Sequence, residues 1–110
     1  MTLRVVLVAE AEEQFRREVE WWRANRGDAP TLLIDEFEQA VGLLEEMPGI
    51  GPRFPRASTP GIRRILLRRS SHWIYYATDP KHPVVYVLAV WSAFRGSDPR
   101  LPDPRSLPER

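Results

Sequence analysis

The side chains able to do chemistry in this 110-residue chain are concentrated in one short stretch. Arg63, Arg64, Arg68 and Arg69 are followed within a few positions by His72, Trp73, Tyr75 and Tyr76. Guanidiniums interleaved with aromatic rings suit nucleic acid, through phosphate contacts and base stacking, and suit an acidic protein surface equally well. On an edge strand the same arginines would only guard against aggregation. Histidine exchanges protons near neutral pH whereas arginine stays protonated, so His72 is the candidate general base of the stretch. Ser70 and Ser71 adjoin it, but neighbours within one turn seldom have nucleophile and base geometry, and no orienting carboxylate is identifiable nearby.

Other chemistries are excluded by composition. There is no cysteine, hence no thiolate nucleophile, no disulfide and no Cys-ligated metal. His72 and His82 fall at opposite ends of one predicted strand, about 20 Å apart at ~3.3 Å per residue, so they cannot share a metal, and none is expected. The glycines at Gly49 and Gly51 follow a predicted helix rather than a strand, the wrong context for a phosphate-cradling loop. No cofactor is expected. The longest apolar run, Val84 to Trp91, is far short of the roughly 20 residues that span a bilayer, and the N-terminus has no secretory pattern, so a cytoplasmic protein without membrane contact is expected.

The elements that must position these residues follow from periodicity. Residues 3–8 are apolar and β-branched with one charge, a first strand expected to be interior. Ala11, Phe15, Val19 and Trp22 recur at helical spacing over residues 9–23, leaving Trp21 about 120° off the stripe and exposed. A turn at residues 25–28 leads to a second helix, with Asp28 as its expected cap and Pro30 in its first turn. That helix buries Leu33, Phe37, Ala40, Leu44 and Met47 and stops at Pro48 and Gly49. After an irregular Pro/Gly-rich stretch come strands at 62–69, 73–78 and 84–91, joined by connections too short for parallel crossovers, hence an antiparallel meander with the fourth strand central. The fold class is α+β: strand, helix hairpin, three-stranded meander, with the helices on one face of the sheet. Residues 1–96 form a single domain, and residues 97–110 a Pro-rich tail, extended or disordered.

The net charge of +1 hides an asymmetry: residues 1–51 carry five basic and eleven acidic side chains, and residues 52–110 carry eleven basic and four acidic. The basic half points to an acidic or polyanionic partner, or the two halves simply face each other.

The order of elements, with Leu43 to Gly51 at the end of helix two, Gly61-Ile62-Arg63-Arg64-Ile65, Trp73-Ile74-Tyr75-Tyr76 and Val90 to Gly96, resembles the RelE/ParE superfamily of small bacterial toxins over residues 3–96. The resemblance implies a toxin of a type II toxin–antitoxin system, held inactive by a cognate antitoxin in a hetero-oligomer. It also implies one of two activities. RelE-like members cut messenger RNA on the ribosome, work that here would fall to Arg63, His72 and Arg95. ParE-like members bind and poison DNA gyrase, for which Arg63, Arg64, Arg68, Arg69 and Arg95 are the candidate contacts. Ser92 replaces a histidine common in the family, no tyrosine follows Arg95, and Lys81 is the only lysine, so the chain is closer to ParE. The runner-up is the ribosome-dependent endonuclease, and a third reading is a family member acting only as an interaction module. Trp21 is the expected antitoxin anchor, the antitoxin docking on the helix hairpin or adding to a sheet edge.

Overall fold

The computed structural model describes residues 2–57 and 59–107. The chain runs β1 (Arg4–Leu7), α1 (Ala9–Asn25), α2 (Leu32–Glu46), β2 (Arg63–Leu67), β3 (His72–Thr78) and β4 (Val84–Ser92), and ends in a single 3-10 turn at Pro104–Ser106. The sheet order is β1-β4-β3-β2, with β2, β3 and β4 an antiparallel meander and β1 parallel to β4. This is the α+β architecture read from the pattern, with β4 central. No helix among the described residues is long and apolar enough to cross a membrane.

The first strand is not interior. It pairs with β4 alone and forms one edge. Its apolar run reflects a different cause: Val5 and Leu7 pack toward the helices and Val6 toward the opposite layer, so both faces are covered although one edge is open. The helices cover one face, where Ala11, Trp22, Leu33, Phe37 and Ala40 meet Leu67, Ile74, Val87 and Val90. Phe15 and Phe37 stack across the hairpin at 4.2 Å between ring centroids. Met47, expected in that stripe, is 48% exposed because α2 ends at Glu46 and Met47 is its C-cap. Thr31, not Asp28, is the N-cap of α2, so Pro30 precedes the helix rather than entering its first turn. Trp22 Nε1 donates to Ala29 O at 2.7 Å and so closes the hairpin loop onto α1.

A bulge shifts the β3–β4 register between Tyr75 and Tyr76. Leu88 and Ala89 therefore both face the outer layer, while Val87 and Val90 both face the helices. The outer layer is made of loop and tail. Phe54 from the 48–61 stretch and Ile62 just after it, with Leu101 and Leu107 from the tail, pack on Tyr75, Tyr86 and Leu88. The described part of the tail is docked on the sheet: Trp91 Nε1 donates to Ser97 O at 2.8 Å, and Arg56 Nε pairs with Asp98 Oδ2 at 2.9 Å. Residues 108–110 of the expected tail lie outside the described residues.

One close approach fixes the loop. Gly51 N donates to the Tyr76 hydroxyl at 2.9 Å, and Gly51 O accepts from Arg63 Nη1 at 2.7 Å. Burial, set against the Gly51 bond, holds the Tyr76 phenol above its ordinary pKa and keeps it a neutral partner.

Candidate functional site

Strand alternation and strand length separate the predicted site residues. The basic strand is shorter than expected, Arg63–Leu67 rather than 62–69, so Arg68 and Arg69 lie in the β2–β3 turn, exposed. Arg63 shares the helix-side face with Ile65 and Leu67 and is tied to Gly51. Arg64 points to the outer layer. Its guanidinium lies 3.7 Å from the Trp73 ring centroid and 4.9 Å from that of Phe54, and it donates to the Tyr75 hydroxyl at 3.1 Å. Arg95, beyond the end of β4, stacks on Trp91 at 4.1 Å. None of these five guanidiniums is buried in an internal ion pair, but they occupy separate positions instead of one continuous ledge.

His72 is the residue most changed by the structure. Its parity with Ile74 and Tyr76 turns it inward, and it is 3% exposed. Nδ1 lies 2.9 Å from Ser70 O and Nε2 lies 2.7 Å from Glu18 Oε1 on α1. Both ring nitrogens are thus engaged by acceptors, and neither is turned toward a substrate or toward the hydroxyls of Ser70 or Ser71. The His72 hydrogen bond, opposed by partial burial and helped by Arg95, holds the Glu18 carboxyl below its ordinary 4.5. Arg95 Nη2 is a looser neighbour of the same carboxylate, at 3.8 Å.

Glu18 was not visible as a site residue, since the stripe of α1 accounts for Ala11, Phe15, Val19 and Trp22 and leaves Glu18 among the solvated positions. The available signal is its place seven residues after Ala11 and four before Trp22, which at 100° per residue sets it at the margin of the buried face. A second carboxylate also braces this end of the sheet: Glu36 on α2 accepts the amides of Arg69 at 2.9 Å and Ser70 at 2.7 Å. Burial works to raise the Glu36 pKa, and the hydrogen bonds from Ser70 and the Arg69 amide outweigh it and hold it below the ordinary value. These bonds support a tight turn in which Ser71 has φ of 61°, a left-handed conformation uncommon outside glycine.

Glu18, Arg69, Ser70, Ser71, His72 and Arg95 line a cleft of about 590 Å³ at one end of the sheet, between α1, the α1–α2 loop, the β2–β3 turn and the end of β4. Of the residues expected from sequence, Trp21, Arg69, His72 and Arg95 meet there. Arg63 does not: its partner in the β2–β3 register is Tyr76, four residues from His72, roughly 13 Å along the strand at ~3.3 Å per residue. Arg64 is on the other face, and Arg68 lines a separate groove between α2 and β2 with Leu43 and Ile50. His82 at the far end is held by Asp79, 3.4 Å from Nδ1. Among the described residues no group of three His, Cys, Asp or Glu side chains is placed to hold a metal.

Comparison with known proteins gives a consistent relationship. A family model described as the ParE toxin of type II toxin–antitoxin systems, parDE, matches residues 5–95. Curated protein sequences give no match. The chromosomal ParDE toxin–antitoxin system from P. aeruginosa contains a similar chain, with a TM-score of 0.66, 14% identity, and coverage of 83% of this chain and 96% of that one. The toxin–antitoxin complex RelBE2 from Mycobacterium tuberculosis has a TM-score of 0.61, 22% identity, and coverage of 84% and 99%. A mutant E. coli RelE toxin in the free state has a TM-score of 0.54, 20% identity, and coverage of 86% of each chain. At these identities the structural likenesses establish the fold. The family match spans most of the chain, and the protein belongs to the ParE toxin family of type II toxin–antitoxin systems.

Proposed function

We propose that this toxin acts by binding rather than by cleavage, with DNA gyrase as its target and a cognate antitoxin as the partner that neutralises it. The observation that carries this reading is the state of His72, whose ring nitrogens are both engaged by acceptors in a buried position. Arginine is a poor base at working pH, and the three groups a nuclease would need do not converge, Arg63 lying well along the strand from His72 and Arg95. What the described residues do offer is guanidinium donors on exposed turns and ends, Arg68, Arg69 and Arg95, suited to holding a carboxylate or phosphate without transferring a proton.

The experiment is a supercoiling assay with purified gyrase and the purified chain. Micromolar protein is expected to block supercoiling or to trap cleaved DNA. A variant carrying Arg69→Ala and Arg95→Ala should need at least about tenfold more protein for the same effect, the loss expected for one or two charge-assisted contacts. Full gyrase activity in the presence of the unaltered chain would refute the reading.

A further inference from the structure

Residues 97–107 lie beyond the stretch matched by the family model and form an element of their own on the outer face of the sheet. The connection from β4 is exposed from residue 93 to residue 98 and contains Gly96. From there the chain turns back over the outer layer. Ser97 O accepts from Trp91 Nε1 at 2.8 Å, Pro99 and Pro104 are buried, and Leu101 and Leu107 pack into the cluster of Tyr75, Tyr86 and Leu88. Leu107 ends beside Val6 and Tyr86, so the segment runs back along β4 from Trp91 toward Tyr86.

Beside its path two cations meet at one ring. The Cζ atoms of Arg56 and Arg64 lie 5.0 and 4.9 Å from the Phe54 ring centroid. Arg64 is fixed in place by the Trp73 ring at 3.7 Å and by its bond to the Tyr75 hydroxyl. Two guanidiniums that share a ring repel each other, and a carboxylate beside both relieves the repulsion. Asp98 supplies that carboxylate, its two oxygens accepting from Arg56 Nε at 2.9 Å and Nη2 at 3.2 Å. The bond from Arg56, opposed by desolvation and helped by the charges of Arg56 and Arg64, holds the Asp98 carboxyl below its ordinary 3.8. The pair is open to water, with side chains 61% and 41% exposed, and an exposed pair is weak and screened by salt. Such a contact specifies where the segment sits while leaving it able to open.

We propose that residues 97–107 are an autoinhibitory strap: Asp98 occupies the Arg56–Arg64 site as a resident ligand, and the site opens to solvent when the strap lifts at the 93–98 hinge. In the closed chain an external oxyanion must displace Asp98 before it reaches the two guanidiniums. Arg64 is among the candidate contacts for the target, so restraint of gyrase binding by the strap rests on the reading above. The closure of the site does not.

The test compares the full chain with Asp98→Asn, an exposed position at which folding is retained, as circular dichroism checks. The initial rate of trypsin cleavage at the Arg100–Leu101 bond, followed by mass spectrometry, reports strap opening. It should be about two- to fivefold faster in Asp98→Asn, the effect of one exposed ion pair. Raising NaCl from about 0.05 M to about 0.5 M should speed cleavage of the parent chain and leave the variant unchanged. Tryptophan quenching by iodide, set against neutral acrylamide at constant ionic strength, reports the site. Iodide should gain more than acrylamide in Asp98→Asn, and Arg64→Gln in the same background should abolish that excess. Equal cleavage of the two chains, no response to salt, or iodide that gains no more than acrylamide would overturn the proposal. In the supercoiling assay Asp98→Asn should act at about two- to fivefold lower concentration than the parent, and equal potency would overturn the autoinhibition. Inhibition by neither chain would count against the target alone, with the strap still decided by cleavage and quenching.

Discussion

Glu18→Ala is expected to cost about 3 kcal/mol of stability, the lower end of the range for removing one partner of a buried pair, because Glu18 retains some contact with water. The loss arises at His72: a ring that is 3% exposed keeps its bond to Ser70 O but loses the carboxylate at Nε2. In a domain of this size that is a fall of roughly 10–20 °C in melting temperature, read by calorimetry or circular dichroism. Glu18→Gln, which preserves an acceptor without the charge, should lose less. The pH dependence has a definite sign. The folded-state pKa of Glu18 lies below its ordinary 4.5, so its contribution is fully present above that value and is lost as pH falls through the depressed one. The gap between the parent chain and Glu18→Gln should therefore narrow as pH falls below 4.5 and the carboxylate loses its charge. A gap that does not narrow anywhere below pH 4.5 would mean that the pair does not couple to folding.

The second large effect is at Gly51. A Cβ there would lie 2.7 Å from Ile65 Cγ2, 2.8 Å from Arg64 O and 2.8 Å from the Tyr76 hydroxyl. The carbonyl belongs to a paired strand, and the phenol is clamped by the amide of Gly51 itself, so neither yields without moving the loop. Gly51→Ala should cost about 2–3 kcal/mol, as overpacking of a tight interior does, and it should also loosen Arg63, which donates to Gly51 O. Tyr76→Phe removes one obstructing atom and one hydrogen bond and should cost about 1 kcal/mol by itself. The double variant should therefore be more stable than the sum of the single losses predicts. Strict additivity would show that the loop relaxes around the methyl group and that the contact is not limiting.

The legible and illegible parts of the molecule divide by range. The face of α1 through Ala11 and Trp22, the exposure of Trp21 and the central place of β4 are local properties, set by periodicity and by an apolar run flanked by turns. The edge position of β1 was hidden because a strand covered on both faces looks the same in sequence whether its edges are paired or not. Arg63, Arg64, Arg68 and Arg69 read as one basic surface because they are close in the chain. Alternation sends Arg63 and Arg64 to opposite faces, and the turn takes Arg68 and Arg69 out of the strand. His72 could have been assigned inward from its parity with Ile74 and Tyr76, but not its partner, since Glu18 is 54 residues earlier on another element. The docking of the tail is of the same kind: Leu101 and Leu107 have no periodicity of their own and acquire a role only against the outer face of the sheet.

The central claim, a toxin that works by holding its target rather than cutting it, is tested most directly by the order of events after induction of the full chain in growing bacteria without antitoxin. Plasmid supercoiling and incorporation of labelled amino acids are followed in the same culture, with message integrity read at the same times. The account predicts that supercoiling fails first, while messages remain full length and protein synthesis continues. Messages cleaved within translated regions and an immediate stop in protein synthesis, with supercoiling intact, would contradict it.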